Sequence, residues 1–352
     1  MTTHAAEQQQ VLLDVQGHLG RITLNRPKAL NSLTMEMVTA VLGALEEWRS
    51  DDRVRTVLVE GAGERGLCAG GDIRAMYDAV KAGEPELTER FWAAEYRMNA
   101  ALAHYPKPVV GIMDGICMGG GVGISAHGSH RVVTERSKVG MPEVGIGFAP
   151  DVGGTYLLSR APGQLGTHMA LTGAPISGAD AIHCGLADHY VDSSELDGLV
   201  NALTEGEASA LLEKYGTSAP ESGLAAARPW IDEVYAADSV ERILTELRSR
   251  NEPEAGEAAE TIATKSPTSL KVTLRALRSA AELGSLEEVL DQEYRVSLAC
   301  VHRGDFLEGV RATLVDKDRS PAWSPGQLED VGEEHVAAFF RRPANGDLGL
   351  SG

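Results

Sequence analysis

The chain is 352 residues long, enough for one large domain with an appendage or for two domains. Hydrophobic residues make up 43% and charged residues 24%, ordinary for a soluble globular protein, and no stretch approaches the ~18 uninterrupted apolar residues of a membrane span. With 32 Lys and Arg against 51 Asp and Glu the formal charge is −19, which disfavours nucleic acid and anionic membranes as partners. An anionic ligand would need a local basic pocket or backbone N–H donors instead.

The first ten residues, MTTHAAEQQQ, carry neither an apolar core nor the arginines of a transit peptide, so a cytoplasmic protein is expected. Residues 11–15 and 19–24 read as two short strands joined at Gln16-Gly17, and Asn25-Arg26-Pro27 ends the second. From 34 to 49, Met35, Val38, Val41, Leu42, Leu45 and Trp48 recur at helical spacing, with Thr34 placed to cap. Residues 54–59 form a compact apolar strand. A glycine-rich loop follows at 61–71, and Asp72 can open the next helix. Residues 89–104 read as a helix ending before Pro106 and Pro108. Residues 109–113 are a buried-type strand leading through Gly115 to Gly119-Gly120-Gly121 and a small-residue helix at 122–127. Short strands are expected at 131–133, 138–141 and 188–191, around a Gly- and Pro-rich loop at 142–154.

Residues 11–191 thus alternate strand and helix, the pattern of an α/β fold with largely parallel strands. Residues 192–325 read as a helical region, broken at Gly206, Pro220, Pro229, Pro253, Pro267 and Gly284. Residues 326–352 read as a terminal helix and a tail that frays from Pro343.

Several chemical motifs fail on spacing. No GxxxxGK[ST] exists. Gly121-Val-Gly123-Ile-Ser-Ala126 imitates a dinucleotide fingerprint, but Gly119 and Gly120 loosen the turn before it. Ser125 lacks the glycine two residues on that a nucleophile elbow needs, so it reads as a core helix residue. The ten histidines form no HExxH, so no metal site is expected. Cys68, Cys117, Cys184 and Cys300 form no CxxC and read as buried thiols of a reducing compartment.

What survives is an ordered set of turns. Cys68-Ala69-Gly70-Gly71-Asp72 and Gly115-Ile-Cys-Met-Gly119-Gly120-Gly121 each put bare backbone N–H groups at a helix start, where two converging donors would form an oxyanion hole. Downstream, the apolar loop from Met141-Pro142-Glu143 to Pro150-Asp151-Val152-Gly153-Gly154 holds two carboxylates suited to acid–base work, or alternatively to capping. Glu95, read from its helix alone, is an exposed residue.

This set, with Asn25-Arg26-Pro27-Lys28-Ala29-Leu30-Asn31 ahead of it, resembles the crotonase (enoyl-CoA hydratase/isomerase) superfamily. Within it, the likeness is to the branch that hydrolyses 3-hydroxyacyl-CoA thioesters. It continues through Ser266-Pro267-Thr268-Ser269-Leu270-Lys271 and from Gly304-Asp305-Phe306 to Asp316-Lys317-Asp318, spanning residues 11–325. The resemblance implies a crotonase (ClpP/crotonase-like) spiral of ββα units followed by C-terminal helices. It implies that Gly71 and Gly120 bind the thioester oxygen, that Glu143 is the catalytic carboxylate, and that Asp151 and Glu95 lie toward the substrate's hydroxyl end. Arg26, Ala29, Leu30, Ala69, Gly71, Asp72 and Ile73 would lie along coenzyme A. The partner implied is a small-molecule acyl-CoA, with no other cofactor, and the chain could form a homo-oligomer, trimer or dimer.

One departure bears on the reaction. Hydratases of this superfamily carry a second glutamate shortly after the GGG turn, and that place is Gly123 here. Losing one of two acid–base partners typically lowers rate by ~10²–10⁴, whereas hydrolysis needs one activated attack and a stabilised oxyanion. That departure favours hydrolysis over hydration, and the resemblance implies 3-hydroxyisobutyryl-CoA as the substrate, with 3-hydroxypropionyl-CoA as a further one, in valine catabolism. The alternatives are an enoyl-CoA hydratase/isomerase and a non-catalytic acyl-CoA-binding protein.

Overall fold

Among the described residues the strands are β1 (Val11–Gln16), β2 (Leu19–Leu24), β3 (Thr56–Gly61), β4 (Gly66–Cys68), β5 (Val109–Ile112), β6 (Ile116–Met118), β7 (His130–Val133), β8 (Lys138–Gly140), β9 (Ile176–Ser177) and β10 (His189–Tyr190). The structure, a computed structural model, describes residues 9–302 and 305–350. Most of the segment read for targeting signals, Gly304 of the C-terminal motif and the last two residues of the tail lie outside these.

Two sheets form. The larger runs β1-β2-β3-β5-β7-β10, antiparallel at β1–β2 and parallel thereafter. The smaller runs β4-β6-β8-β9, antiparallel only at β8–β9. From β3 to β8 the chain alternates, giving one strand to the large sheet and the next to the small one. This alternation is the spiral of ββα turns. The interior strands are short apolar runs because both faces are covered: all four residues of β5 and the first four of β3 are buried.

The described residues fall into two compact units whose segments interleave along the chain. One comprises residues up to Asp72, Ala94–Gly140 and Ile176–Ala225. The other comprises Ile73–Ala93, Met141–Pro175 and the residues from Ala226 onward. All the strands belong to the first unit. Its core joins Leu19, Leu58, Val110, Ile112 and Val132 to Leu199, Leu203 and Leu212 from the Leu196–Leu203 and Ala208–Tyr215 helices. The second unit holds no strand among the described residues. There the Pro267–Glu282 helix packs on Gly154–Ser159 and Leu165–Thr172, and the Leu286–Val301 helix, opened by a Ser285–Glu288 capping box, packs beside it.

Local signals explain most boundaries. Thr34 Oγ1 accepts the Met37 N–H, and Met37, Val38, Val41, Leu45 and Trp48 of the Met35–Arg49 helix are buried, although Met35 itself is exposed. Pro253 and Pro267 open helices, where a missing N–H is harmless. Pro229, expected to break a helix, sits inside Gly223–Tyr235; burial of Trp230, Ile231, Val234 and Tyr235 on one face holds the helix through it. The helix expected at 89–104 starts earlier, at Pro85. Three strands were not expected. β4 lies within the glycine-rich loop, and β6 and β9 are too short for periodicity to show. The tail, expected to fray, has anchors over its described part: Asp347 pairs with Arg295 at 2.6 Å and Arg342 at 3.1 Å, and Leu348 is buried.

Candidate active site

The first unit brings the two glycine turns together. Leu33 N–H donates to Gly70 O and Asp72 N–H donates to Leu33 O, both at 2.8 Å, so the 30–33 segment straps the residues on either side of Gly71. That bridge leaves the Gly71 N–H pointing the other way. Gly70, at φ +107°, makes a turn that a side chain would strain. Gly120 opens the Gly120–Ser125 helix, where no intrahelical carbonyl can accept its N–H. A Cβ on Gly120 would lie 3.3 Å from Gly71 N and 2.6 Å from Glu95 Oε1, so a side chain here would displace the Glu95 carboxyl and crowd the Gly71 N–H. Two backbone donors and one carboxyl thus crowd a single point.

Glu95 is therefore not the exposed residue its helix suggests. It is 2% exposed, and it shares a buried face of the Pro85–Ala103 helix with Asn99, one turn on. Cys68 and Cys117, beside the two turns, are fully buried; burial pushes the Cys117 thiol up to about 12 and the Cys68 thiol higher still, so neither is a nucleophile at neutral pH. Ser125 is buried with its hydroxyl donated to Gly121 O at 2.6 Å, the role of a core helix residue.

The residues expected along coenzyme A cluster beside these turns. Arg26 donates to Asp72 Oδ2 at 2.9 Å and to Ser32 O at 2.6 Å, and Ala69 N–H donates to Leu30 O at 3.0 Å. Ala29 and Ala69 are exposed along this edge. Beneath it Asn31 is 1% exposed: its Nδ2 lies 3.0, 3.2 and 3.0 Å from the carbonyls of Ala62, Gly66 and Leu67, and its Oδ1 accepts the Arg26 N–H at 2.9 Å. Ile73 begins the Ile73–Lys81 helix of the second unit.

The second unit carries the two loop acids. Glu143 opens a 3-10 turn, Glu143–Ile146, after Pro142, and its carbonyl accepts the Phe148 N–H at 3.1 Å. The Asp305–Val310 helix packs directly on this turn: a Cβ on Gly309 would meet the Ile146 backbone at 2.3 Å. Phe148 stacks on Trp92 with ring centres 5.1 Å apart, and Phe306 closes on Phe148 at 5.6 Å. Glu143 and Asp151 are each 6% exposed.

The Asp151 carbonyl accepts the Gly154 N–H at 2.6 Å, and Gly153 is the N-cap of the helix that follows. The capping falls to a residue that sequence reading missed. Glu293, 1% exposed on the Leu286–Val301 helix, accepts the Gly153 N–H at 2.6 Å, the Thr155 N–H at 2.8 Å and the Thr155 hydroxyl at 2.6 Å. Burial, reinforced by the Asp151 charge, raises its pKa to about 8. The signal was present: Glu293 stands in the apolar stripe Leu286, Val289, Leu290, Val296, Cys300, where an acidic side chain needs a reason.

The model of the enoyl-CoA hydratase/isomerase family matches residues 19–340. The chain belongs to that family. Curated members named 3-hydroxyisobutyryl-CoA hydrolase, mitochondrial, resemble it throughout. The Danio rerio protein is 43% identical over 97% of this chain and 92% of its own length, and the Homo sapiens protein 41% identical over 99% and 92%. Among solved structures, one titled a carnitinyl-CoA dehydratase from Mycobacterium thermoresistibile is 54% identical, covers 98% of this chain and all of its own, and superposes with a TM-score of 0.95. One titled an enoyl-CoA hydratase from Rhodobacter sphaeroides 2.4.1 is 40% identical, covers 97% and 99%, and has a TM-score of 0.92. This crotonase-family chain therefore shares its whole length with relatives carrying hydrolase and hydratase-type names.

Proposed function

We propose that this enzyme hydrolyses the thioester of 3-hydroxyisobutyryl-CoA, giving coenzyme A and 3-hydroxyisobutyrate, a step of valine catabolism. The observation that carries the reading is likeness over 97–99% of the chain to curated hydrolases of that name, in a chain that keeps Glu143 and Asp151 buried. The acyl-CoA is the substrate, and the reaction as read needs no other cofactor.

The chemistry follows from the groups present. The N–H groups of Gly71 and Gly120 take the oxygen on which negative charge gathers as the carbonyl carbon is attacked. Because glycine backbone supplies both donors, they are held in place before the reaction and need little reorganisation during it. Glu143 either attacks the carbonyl carbon, giving a mixed anhydride that water then hydrolyses, or acts as the base on an attacking water; in both cases the C–S bond breaks and the departing thiolate takes up a proton released from that water. Asp151 and Glu95 orient the 3-hydroxyl and the water. Arg26, Ala29, Leu30, Ala69, Asp72 and Ile73 lie along the coenzyme A moiety, with the Arg26–Asp72 pair fixing the edge rather than offering a free cation.

The dehydratase title of the 54% identical structure favours a second reading, addition or removal of water across a C–C double bond. That chemistry generally uses two proton-transferring groups, and position 123, a buried glycine in the Gly120–Ser125 helix, supplies none. Thiol release from 3-hydroxyisobutyryl-CoA, measured beside the loss of conjugated thioester absorbance from crotonyl-CoA, separates the two. Fast thiol release with little change in crotonyl-CoA is expected. Rapid crotonyl-CoA hydration without thiol release would replace the hydrolase reading with the second one.

A further inference from the structure

Resting on the hydrolase reading, we propose that Glu293 is a positioning residue for Asp151, fixing the loop acid that distinguishes the 3-hydroxyl group of the substrate. The argument begins with the backbone after Asp151. Val152 has φ +54°, a left-handed conformation that a β-branched side chain adopts only under constraint, and Gly153 follows at φ +76°. A short helix, Gly154–Ser159, starts there with no side-chain cap of its own. Left alone, two successive left-handed residues would relax, and the Asp151 carboxyl would swing with them.

Glu293 opposes that relaxation. One of its oxygens accepts the Gly153 N–H, and the other accepts both the N–H and the hydroxyl of Thr155. Both carboxyl oxygens are therefore engaged within four residues of Asp151, from a helix 140 positions further along the chain. Thr155 is itself fully buried, so the clamp is shielded from water. A serine or asparagine at the helix start would cap more simply. A carboxyl delivered from another helix instead ties the turn to the core of the unit, so the Asp151 side chain inherits the rigidity of the Leu286–Val301 helix. Glu293 need not meet the substrate, and its effect is read through Asp151.

The test compares 3-hydroxyisobutyryl-CoA with isobutyryl-CoA, which lacks the hydroxyl, as the ratio of their kcat/KM values. That ratio is indifferent to the fraction of enzyme that is folded, so a merely structural role leaves it unchanged. Glu293→Gln keeps the shape of the side chain but can no longer accept at both ends. It is expected to lower the ratio at least tenfold, mainly through kcat on the hydroxylated ester, with coenzyme A affinity within twofold of wild type. A ratio within twofold of wild type, whatever happens to Tm, overturns the proposal. If Glu293→Gln does not fold, Thr155→Val removes one donor without changing volume, and there a threefold or larger fall supports the proposal and an unchanged ratio overturns it. Wild-type enzyme that releases no thiol from 3-hydroxyisobutyryl-CoA overturns the hydrolase reading and this inference with it, an outcome distinct from an active enzyme whose ratio ignores Glu293.

Discussion

The strand-bearing unit presents its chemistry on backbone: Gly71 and Gly120 offer N–H groups at turns so tight that a methyl on Gly120 would touch Glu95 and crowd Gly71. The helical unit presents its chemistry on side chains: Glu143 stands on a 3-10 turn backed by Gly309, and Asp151 stands on a turn clamped by Glu293. The difference teaches how each kind of group is fixed. A backbone donor is positioned by hydrogen bonds between neighbouring segments and needs small residues. A carboxylate has rotamers to lose, so it needs packing and remote partners.

Substitutions can break or sharpen this contrast. The largest effect is expected at the side-chain end, where Glu143→Gln should lower kcat about 10²–10⁴-fold while coenzyme A esters still bind. Near-normal turnover with 3-hydroxyisobutyryl-CoA would remove Glu143 from the reaction. At the backbone end, Gly120→Ala should lower kcat about 10²–10³-fold, the usual effect of one lost oxyanion donor, because the added Cβ lies 3.3 Å from Gly71 N. A change confined to KM would show that the turn only binds.

Acid should act on the helical unit through His168. Its Nδ1 lies 2.9 Å from the Tyr235 hydroxyl, and burial lowers its pKa from 6.5 to about 4. The unfolded chain takes up a proton near pH 6.5 that the folded unit refuses. This contribution is therefore complete above pH 6.5 and falls away as pH drops toward 4, an effect of about 3 kcal/mol. Urea unfolding at pH 7 and pH 4.5 should show a steeper loss for wild type than for His168→Asn; equal slopes would refute the assignment. In the strand-bearing unit, Asn31→Ala strips the amide shared by three carbonyls and should lower stability by about 2 kcal/mol in denaturant melts. A wild-type midpoint would mean that the strap of Leu33 onto Gly70 holds the turn unaided.

Legibility in the sequence followed the same division. Glycine turns are local, so CAGGD and GGG could be read as donor sites at once, and the alternation of strands and helices to residue 191 announced an α/β fold with largely parallel strands, while the spiral itself was implied only by the family resemblance. The acids were visible as residues, but not their surroundings. Glu95 read as exposed because one helix in isolation does not reveal which of its faces is covered, and Glu293 escaped notice because its partners lie some 140 positions away. β4, β6 and β9 have two or three residues each, too few for a period of two to register. Pro229 misled because a proline's local preference yields to a well-buried helix face.

Each turnover of the proposed reaction sets free a thiol, and free thiols exchange with accessible protein cysteines into mixed disulfides under mild oxidation. All four cysteines here are buried, and at pH 8 a thiol raised to about 12, as at Cys117 and Cys184, is roughly one part in ten thousand thiolate. The enzyme is thus insulated against capture by the thiol it is proposed to release, even where Cys68 and Cys117 adjoin the turns proposed to hold the thioester oxygen.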